Sequence, residues 1–117
     1  MVLSQVNIAG VILAAGQSSR FGQPKQLLPW GKRNVLNTCI ATAKIAMLSP
    51  IVVVLGAHYE EILPEMDQEG VEVVINRHWA EGQSTSVKAG VSALPEDVHG
   101  AIFLLADQPQ ISVQLIV

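Results

Sequence analysis

The stretch Gly10-Val11-Ile12-Leu13-Ala14-Ala15-Gly16-Gln17-Ser18-Ser19-Arg20-Phe21-Gly22-Gln23-Pro24-Lys25 decides how this chain is read. It opens as an apolar run, breaks at Gly16 and turns into small polar residues followed by two cations, Arg20 and Lys25. An uninterrupted apolar run, rather than an alternating one, predicts a strand covered on both faces. A buried strand that feeds a loop rich in backbone N–H groups, with Arg and Lys close behind, is an arrangement that binds phosphate. Arg offers a planar fork to phosphate oxygens and Lys a mobile point charge. The loop is not a Walker A sequence, since no Gly-Lys-Ser/Thr closes it, and Gly16 has no partner glycine two residues on. Both absences count against a P-loop hydrolase and a dinucleotide dehydrogenase. The bland alternative is a surface loop with two solvated cations.

Working outward, apolar runs predict strands over 6–15, 51–55, 71–75 and 101–106. Helical patterns predict helices over 34–47, 59–66 and 85–94. Asn34 reads as the cap of the first helix, with Val35, Leu36, Cys39, Ile40 and Ala43 inward. Ser84 reads as the cap of the third, with Val87, Val91 and Leu94 inward. Residues 17–33, with Gly22, Pro24, Pro29 and Gly31, read mostly as loop, pinned to the core by Leu27, Leu28 and Trp30. Ser112 reads as the cap of a last helix, and its unfinished apolar face at Gln114-Leu115-Ile116-Val117 predicts a piece of a longer protein, truncated at the C-terminus.

The alternation predicts one domain over 1–117: an α/β, doubly wound, mainly parallel sheet with helices on both faces. In the strand order 3-2-1-4 the first and fourth strands are neighbours, and a crevice opens at their carboxyl ends. The Gly16 loop and Asp107 both belong at those ends. A carboxylate directly after a buried strand suits Mg²⁺ shared with substrate phosphates, although Asp-x-Pro is also a turn signal. Gly82-Gln83-Ser84-Thr85-Ser86 lies at a helix start on the same edge, where Ser86 is free to face the crevice, and Asn76 leaves the third strand there.

Composition narrows the classes further. Half of the 117 residues are hydrophobic and 15% charged, which argues for a packed core. A net charge of −3 gives no footprint for nucleic acid. No apolar run approaches the roughly 18–20 residues that span a bilayer, and the start lacks a signal-peptide pattern, so a cytoplasmic location without membrane attachment is expected. The single cysteine, Cys39, excludes an internal disulfide and reads as a buried helix thiol. His58, His78 and His99 show no metal-ligand spacing. His58 stands near a strand end without a role assigned to it. Ser18 and Ser19 lack the Gly-x-Ser-x-Gly elbow of a hydrolase.

Three segments together resemble a known family: Leu13-Ala14-Ala15-Gly16-x-Ser18-x-Arg20-Phe21-Gly22-x-Pro24-Lys25-Gln26-Leu27-Leu28, Asn76-x-x-Trp79-x-x-Gly82-x-x-x-Ser86-Val87-x-Ala89-Gly90, and Leu105-Ala106-Asp107-Gln108-Pro109. They are similar to molybdenum cofactor cytidylyltransferase and its molybdopterin nucleotidyltransferase relatives. The resemblance implies a Rossmann-like nucleotidyltransferase fold and Mg²⁺-dependent transfer of CMP from CTP to a phosphorylated pterin-type acceptor. It implies that the backbone of Leu13, Ala14, Ala15 and Gly16 contacts base and ribose, that Arg20 and Lys25 bind triphosphate, that Asn76, Gly82 and Ser86 belong to the nucleotide site, with Ser86 by the cytidine, and that Asp107 holds the metal. Leu-Ala-Ala-Gly, in place of Leu-Ala-Gly-Gly, leans toward CTP over GTP. A GTP-using guanylyltransferase, a cytidylyltransferase with a sugar-like or isoprenoid phosphate acceptor, and a nucleotide-binding fragment without catalysis stand as alternatives. Family members carry a further segment with acceptor-binding residues after the Asp-Gln-Pro element, which this chain lacks.

Overall fold

The computed structural model describes residues 7–106 and the backbone of 112–116. Asp107 therefore lies outside the described residues, as do Gln108, Pro109 and the expected start of the first strand at residue 6.

A five-stranded sheet carries the fold. Strand β1 (Ile8–Ala14) lies at its centre, between β6 (Ile51–Leu55) and β8 (Gly100–Leu105), with β7 (Glu72–Ile75) and β9 (Ser112–Ile116) outside them. The pairings β1–β6, β1–β8 and β6–β7 are parallel, and β8–β9 is antiparallel. The doubly wound, mainly parallel sheet is thus observed, with the order expected for its first four long strands.

Period-two geometry sends alternate residues of β1 to opposite faces. Ile12 and Ala14 pack with Leu36, Cys39, Ile40 and Ala43 of helix α1 (Val35–Ile45), while Val11 and Leu13 join Trp79, Val87 and Ala89 on the other side. This is why β1 reads as continuously apolar: both faces are covered. The short helix α2 (Tyr59–Ile62) adds its buried Ile62 to the α1 face, and α3 (Gln83–Ser92) covers the second face. Asn34 caps α1 as expected, its side-chain oxygen accepting from the Asn37 N–H at 2.7 Å.

Four expectations are corrected. Ser112 opens strand β9 rather than a helix. The outer edge of β8 would otherwise present an unpaired row of backbone N–H and C=O groups, and the register from Ala101↔Ile116 to Leu105↔Ser112 fills it. A short apolar run cannot be assigned to helix or strand by periodicity alone.

The N-cap of α3 is Gly82, at φ 120°, with Ser84 two residues inside. That φ belongs to glycine, and the Thr85 hydroxyl ties the turn to the carbonyls of Gly82 and His78 at 2.7 and 3.0 Å. Val91 is exposed rather than inward. The helix faces the sheet with Ser86 and Gly90, so closely that a Cβ at Gly90 would stand 2.5 Å from Val11 Cγ1. Close approach, not hydrophobicity, chose the inner face.

Residues 17–34 contain two small antiparallel pairs, β2 (Ser19–Arg20) with β3 (Gln23–Pro24) and β4 (Pro29–Trp30) with β5 (Arg33–Asn34). Trp30 is exposed and stands outside the core clusters of the described residues, whereas Leu27 packs on the core and the neighbouring Gln26 is fully buried.

Candidate functional site

The carboxyl ends of β1, β6, β7 and β8 form one edge of the sheet, and the loop after β1 is its most heavily tied segment. Six consecutive carbonyl oxygens are each held from elsewhere in the fold. Leu13 O accepts from the Ala106 N–H at 3.1 Å and Ala15 O from the Ala57 N–H at 3.1 Å. Ala14 O and Gly16 O both accept from the Gln26 side-chain amide, at 2.9 and 3.1 Å. His58 Nε2 lies 2.7 Å from Gln17 O, which can only accept, so that nitrogen carries the proton. Ser18 O accepts from the Lys25 N–H at 3.1 Å, closing the loop on itself.

In a trans peptide the following N–H points opposite to each carbonyl. The N–H groups of Gly16, Gln17 and Ser18 therefore turn away from the residues that hold the loop, and among the described residues they have no hydrogen-bond acceptor. A row of unused amides beside a glycine is a concavity for an anion.

Beside this row, Ala15, Gly16 and Gln17 from the loop meet Trp79, Ala80, Gly82, Gln83 and Ser86 around a cleft of about 200 Å³. That is below the ~300–1,000 Å³ usual for whole-ligand pockets, and suits a single ring system. Asn76 stands behind the cleft, 5% exposed. Its amide donates to Thr85 Oγ1 and Ser86 Oγ, each at 2.9 Å, and its oxygen accepts from the His78 N–H at 2.9 Å. Both polar atoms of the Asn76 side chain are thereby engaged, and its amide nitrogen fixes the Ser86 hydroxyl. Since Ser86 Oγ accepts from Asn76, its own hydrogen is left to donate into the cleft.

The structure thus brings Ala15, Gly16, Gly82 and Ser86 together and sets Asn76 behind them. Leu13 and Ala14 are buried in β1, with their carbonyls engaged as above. Arg20 and Lys25 flank the loop outside the cleft lining. The Arg20 guanidinium lies 5.3 Å from the centroid of the Phe21 ring, and neither cation forms an ion pair among the described residues. Ala106, the last described residue of its segment, is bonded to Leu13, so Asp107 follows in sequence directly from the end of β1's neighbour. Among the described residues no three His, Cys, Asp or Glu side chains converge on a metal position.

Two residues went unassigned in the sequence. His58 was visible only as a histidine near a strand end, and its bond to Gln17 is tertiary. Gln26 carried a faint signal: an uncharged amide within Lys25-Gln26-Leu27-Leu28. It is fully buried, and its Oε1 has no hydrogen-bond partner among the described residues. Leaving a buried acceptor unsatisfied costs about 1–3 kcal/mol.

Comparison with known proteins adds a family to this geometry. The MobA-like NTP transferase domain matches residues 10–117. Nicotine blue oxidoreductase of Paenarthrobacter nicotinovorans is 34% identical over 107 residues, which cover 91% of this chain and 52% of that protein. Molybdenum cofactor cytidylyltransferase of Escherichia coli is 34% identical over 110 residues, covering 90% and 54%. Among solved structures, Rv0371c from Mycobacterium tuberculosis superposes with a TM-score of 0.77 at 31% identity, over 92% of this chain and 55% of that one. Its complex with manganese gives 0.73 at 28% identity, over 92% and 54%. The chain spans about half the length of the curated relatives it matches. With its sheet order, its loop after β1 and a match over nearly its whole length, the chain belongs to the MobA-like NTP transferase domain family.

Proposed function

We propose that the protein transfers a nucleotidyl group from a nucleoside triphosphate, CTP by preference, to the phosphate of a pterin-type acceptor, releasing pyrophosphate. The observation that carries this reading is the junction of two sites on one sheet edge: unused loop amides beside Arg20 and Lys25, and a ring-sized cleft into which Ser86 can donate. A triphosphate suits the first and a pyrimidine carbonyl the second.

In this reading an acceptor phosphate oxygen attacks the α-phosphorus in line. The new P–O bond forms as the bond to the β-phosphate's bridging oxygen breaks. The nucleophile is already anionic, so no general base is required. The chain's work is to position and to neutralise charge. Lys25 and Arg20 would lie against the phosphates, the loop amides would hold oxygens in place, and the Asn76–Ser86 pair would orient the base. Asp107 is the residue assigned to a divalent metal, which when bound would neutralise phosphate oxygens. A carboxylate shared with substrate phosphates is a donor set that Mg²⁺ favours, and a solved relative has been seen with manganese.

The test is pyrophosphate release by the protein at its natural full length, with CTP, GTP, ATP and UTP, each against pterin phosphate, isoprenoid phosphate and sugar phosphate acceptors. Fastest release from CTP with the pterin acceptor is expected. Fastest release from GTP would move the assignment to guanylyl transfer. Calorimetric binding of CTP and Mg²⁺ without pyrophosphate from any pair would reduce the protein to a nucleotide-binding module. Because one relative is named an oxidoreductase, pyrophosphate is the readout that separates group transfer from reduction.

A further inference from the structure

The buried side chain of Gln26 does something the family match does not assign. It sits at the exit of the loop after β1, one residue beyond Lys25, and reaches back to the loop's entrance. One amide nitrogen donates to both Ala14 O and Gly16 O. Its orientation is set by chemistry: turned over, its oxygen would face two carbonyl oxygens. The cost of this arrangement is visible in the same side chain, since Oε1 is buried with no donor among the described residues to satisfy it. A leucine or methionine would fill the space without an orphaned acceptor, so packing alone does not account for an amide here.

The two bonds have a directional consequence. Holding Gly16 O against Gln26 turns the Gln17 N–H the opposite way, into the row of unused amides. The same residue is covalently next to Lys25, whose own N–H closes the loop on Ser18 O. Loop entrance, anion-facing amides and lysine are therefore registered through one side chain.

We infer that Gln26 is the positioning residue of this site: it clasps the loop so that the Gln17 amide and the Lys25 ammonium address the same triphosphate. The inference rests on the nucleotidyl-transfer reading and adds to it a residue that touches neither substrate.

Two substitutions in the full-length protein test it. Gln26→Met keeps the volume and removes the clasp. Measured well below its melting midpoint, it is expected to lower kcat at least tenfold, with the acceptor KM changed less than twofold. Gln26→Glu replaces the donating nitrogen with an oxygen that can donate only when protonated. Its kcat is expected to be retained toward acid pH and lost as the introduced carboxyl ionises, a limb that the wild type lacks. A folded Gln26→Met protein with kcat and both KM values within twofold of wild type overturns the inference. So does a Gln26→Glu protein with the wild-type pH profile.

A third measurement needs no variant. By NMR, the side-chain amide protons of Gln26 are expected to exchange more slowly when CTP or inorganic triphosphate is added. Unchanged exchange at saturating triphosphate counts against the clasp. Should the wild type release no pyrophosphate with any acceptor, the transfer reading fails by itself, and the exchange experiment with inorganic triphosphate still decides the role of Gln26.

Discussion

From Ala14 to Ser18 every backbone carbonyl is held by a donor from elsewhere in the chain, whereas a few residues further on Phe21 stands 91% exposed at φ 54°, with the Arg20 guanidinium over its ring. Base and tip belong to one loop, yet the base is over-determined and the tip is strained. A non-glycine residue in the left-handed region costs of order 1–2 kcal/mol, and among the described residues the ring is left exposed beside Arg20. The β2–β3 pair explains the geometry: a two-residue hairpin turn of type I′ has positive φ at both central positions, and Phe21 and Gly22 supply it. The contrast shows where rigidity was placed: at the carbonyls that aim the amides, not at the hairpin that carries Arg20.

Lys25 joins the two halves, and the largest effect is expected there. Lys25→Ala in the full-length protein should lower turnover at least a hundredfold, about 2.7 kcal/mol in the barrier, read by steady-state pyrophosphate release with the melting midpoint unchanged. Near-native turnover would show that the tip and its cations are ornamental to the base.

Gly56→Ala attacks the base without touching a charge. A Cβ at Gly56 would stand 2.8 Å from Ala15 Cβ and 3.0 Å from Ala15 O. It should destabilise by about 1–3 kcal/mol in urea unfolding and weaken CTP binding in calorimetry. Loss of stability with affinity intact would mean that the base can shift without disturbing its amides.

Gly22→Ala attacks the tip through the backbone alone, since a Cβ there meets nothing within 4 Å and φ is +77°. About 1 kcal/mol of destabilisation is expected by the same measurement. Phe21→Asn, which tolerates the left-handed region, should stabilise by a few tenths of a kcal/mol up to ~1. A loss of stability in that variant would show that the exposed ring is held by more than Arg20.

The sequence made the scaffold plain wherever strands are buried on both faces. Residues 10–14, 51–55 and 101–105 have no polar interruption, so their apolar runs could be read without the fold. For β9 a helix is expected and a strand observed, because the five residues Ser112 to Ile116 carry no period long enough to separate the two. Val91 was misread because hydropathy records which residues avoid water, not how near a backbone must come to its neighbour. Ser86 and Gly90 win the inner face of α3 through size. In the site, Gly16, Gly82 and Ser86 were legible as small residues at strand-to-helix junctions on one edge. The clasp by Gln26 and the His58 bond were not, because each joins a side chain to a carbonyl brought near only by the folded chain.

The six held carbonyls of the loop have a further consequence for how such a site meets its surroundings. In a triphosphate site of the kind proposed above, Arg20 and Lys25 would attract phosphate with full charges, which added salt screens over a Debye length of roughly 8–10 Å. The peptide dipoles of residues 16–18 would attract it with neutral atoms that neither titrate nor recruit counterions from solution. Nucleotide affinity should therefore fall with ionic strength to a floor rather than to nothing, and the height of that floor is the share of recognition written into the backbone.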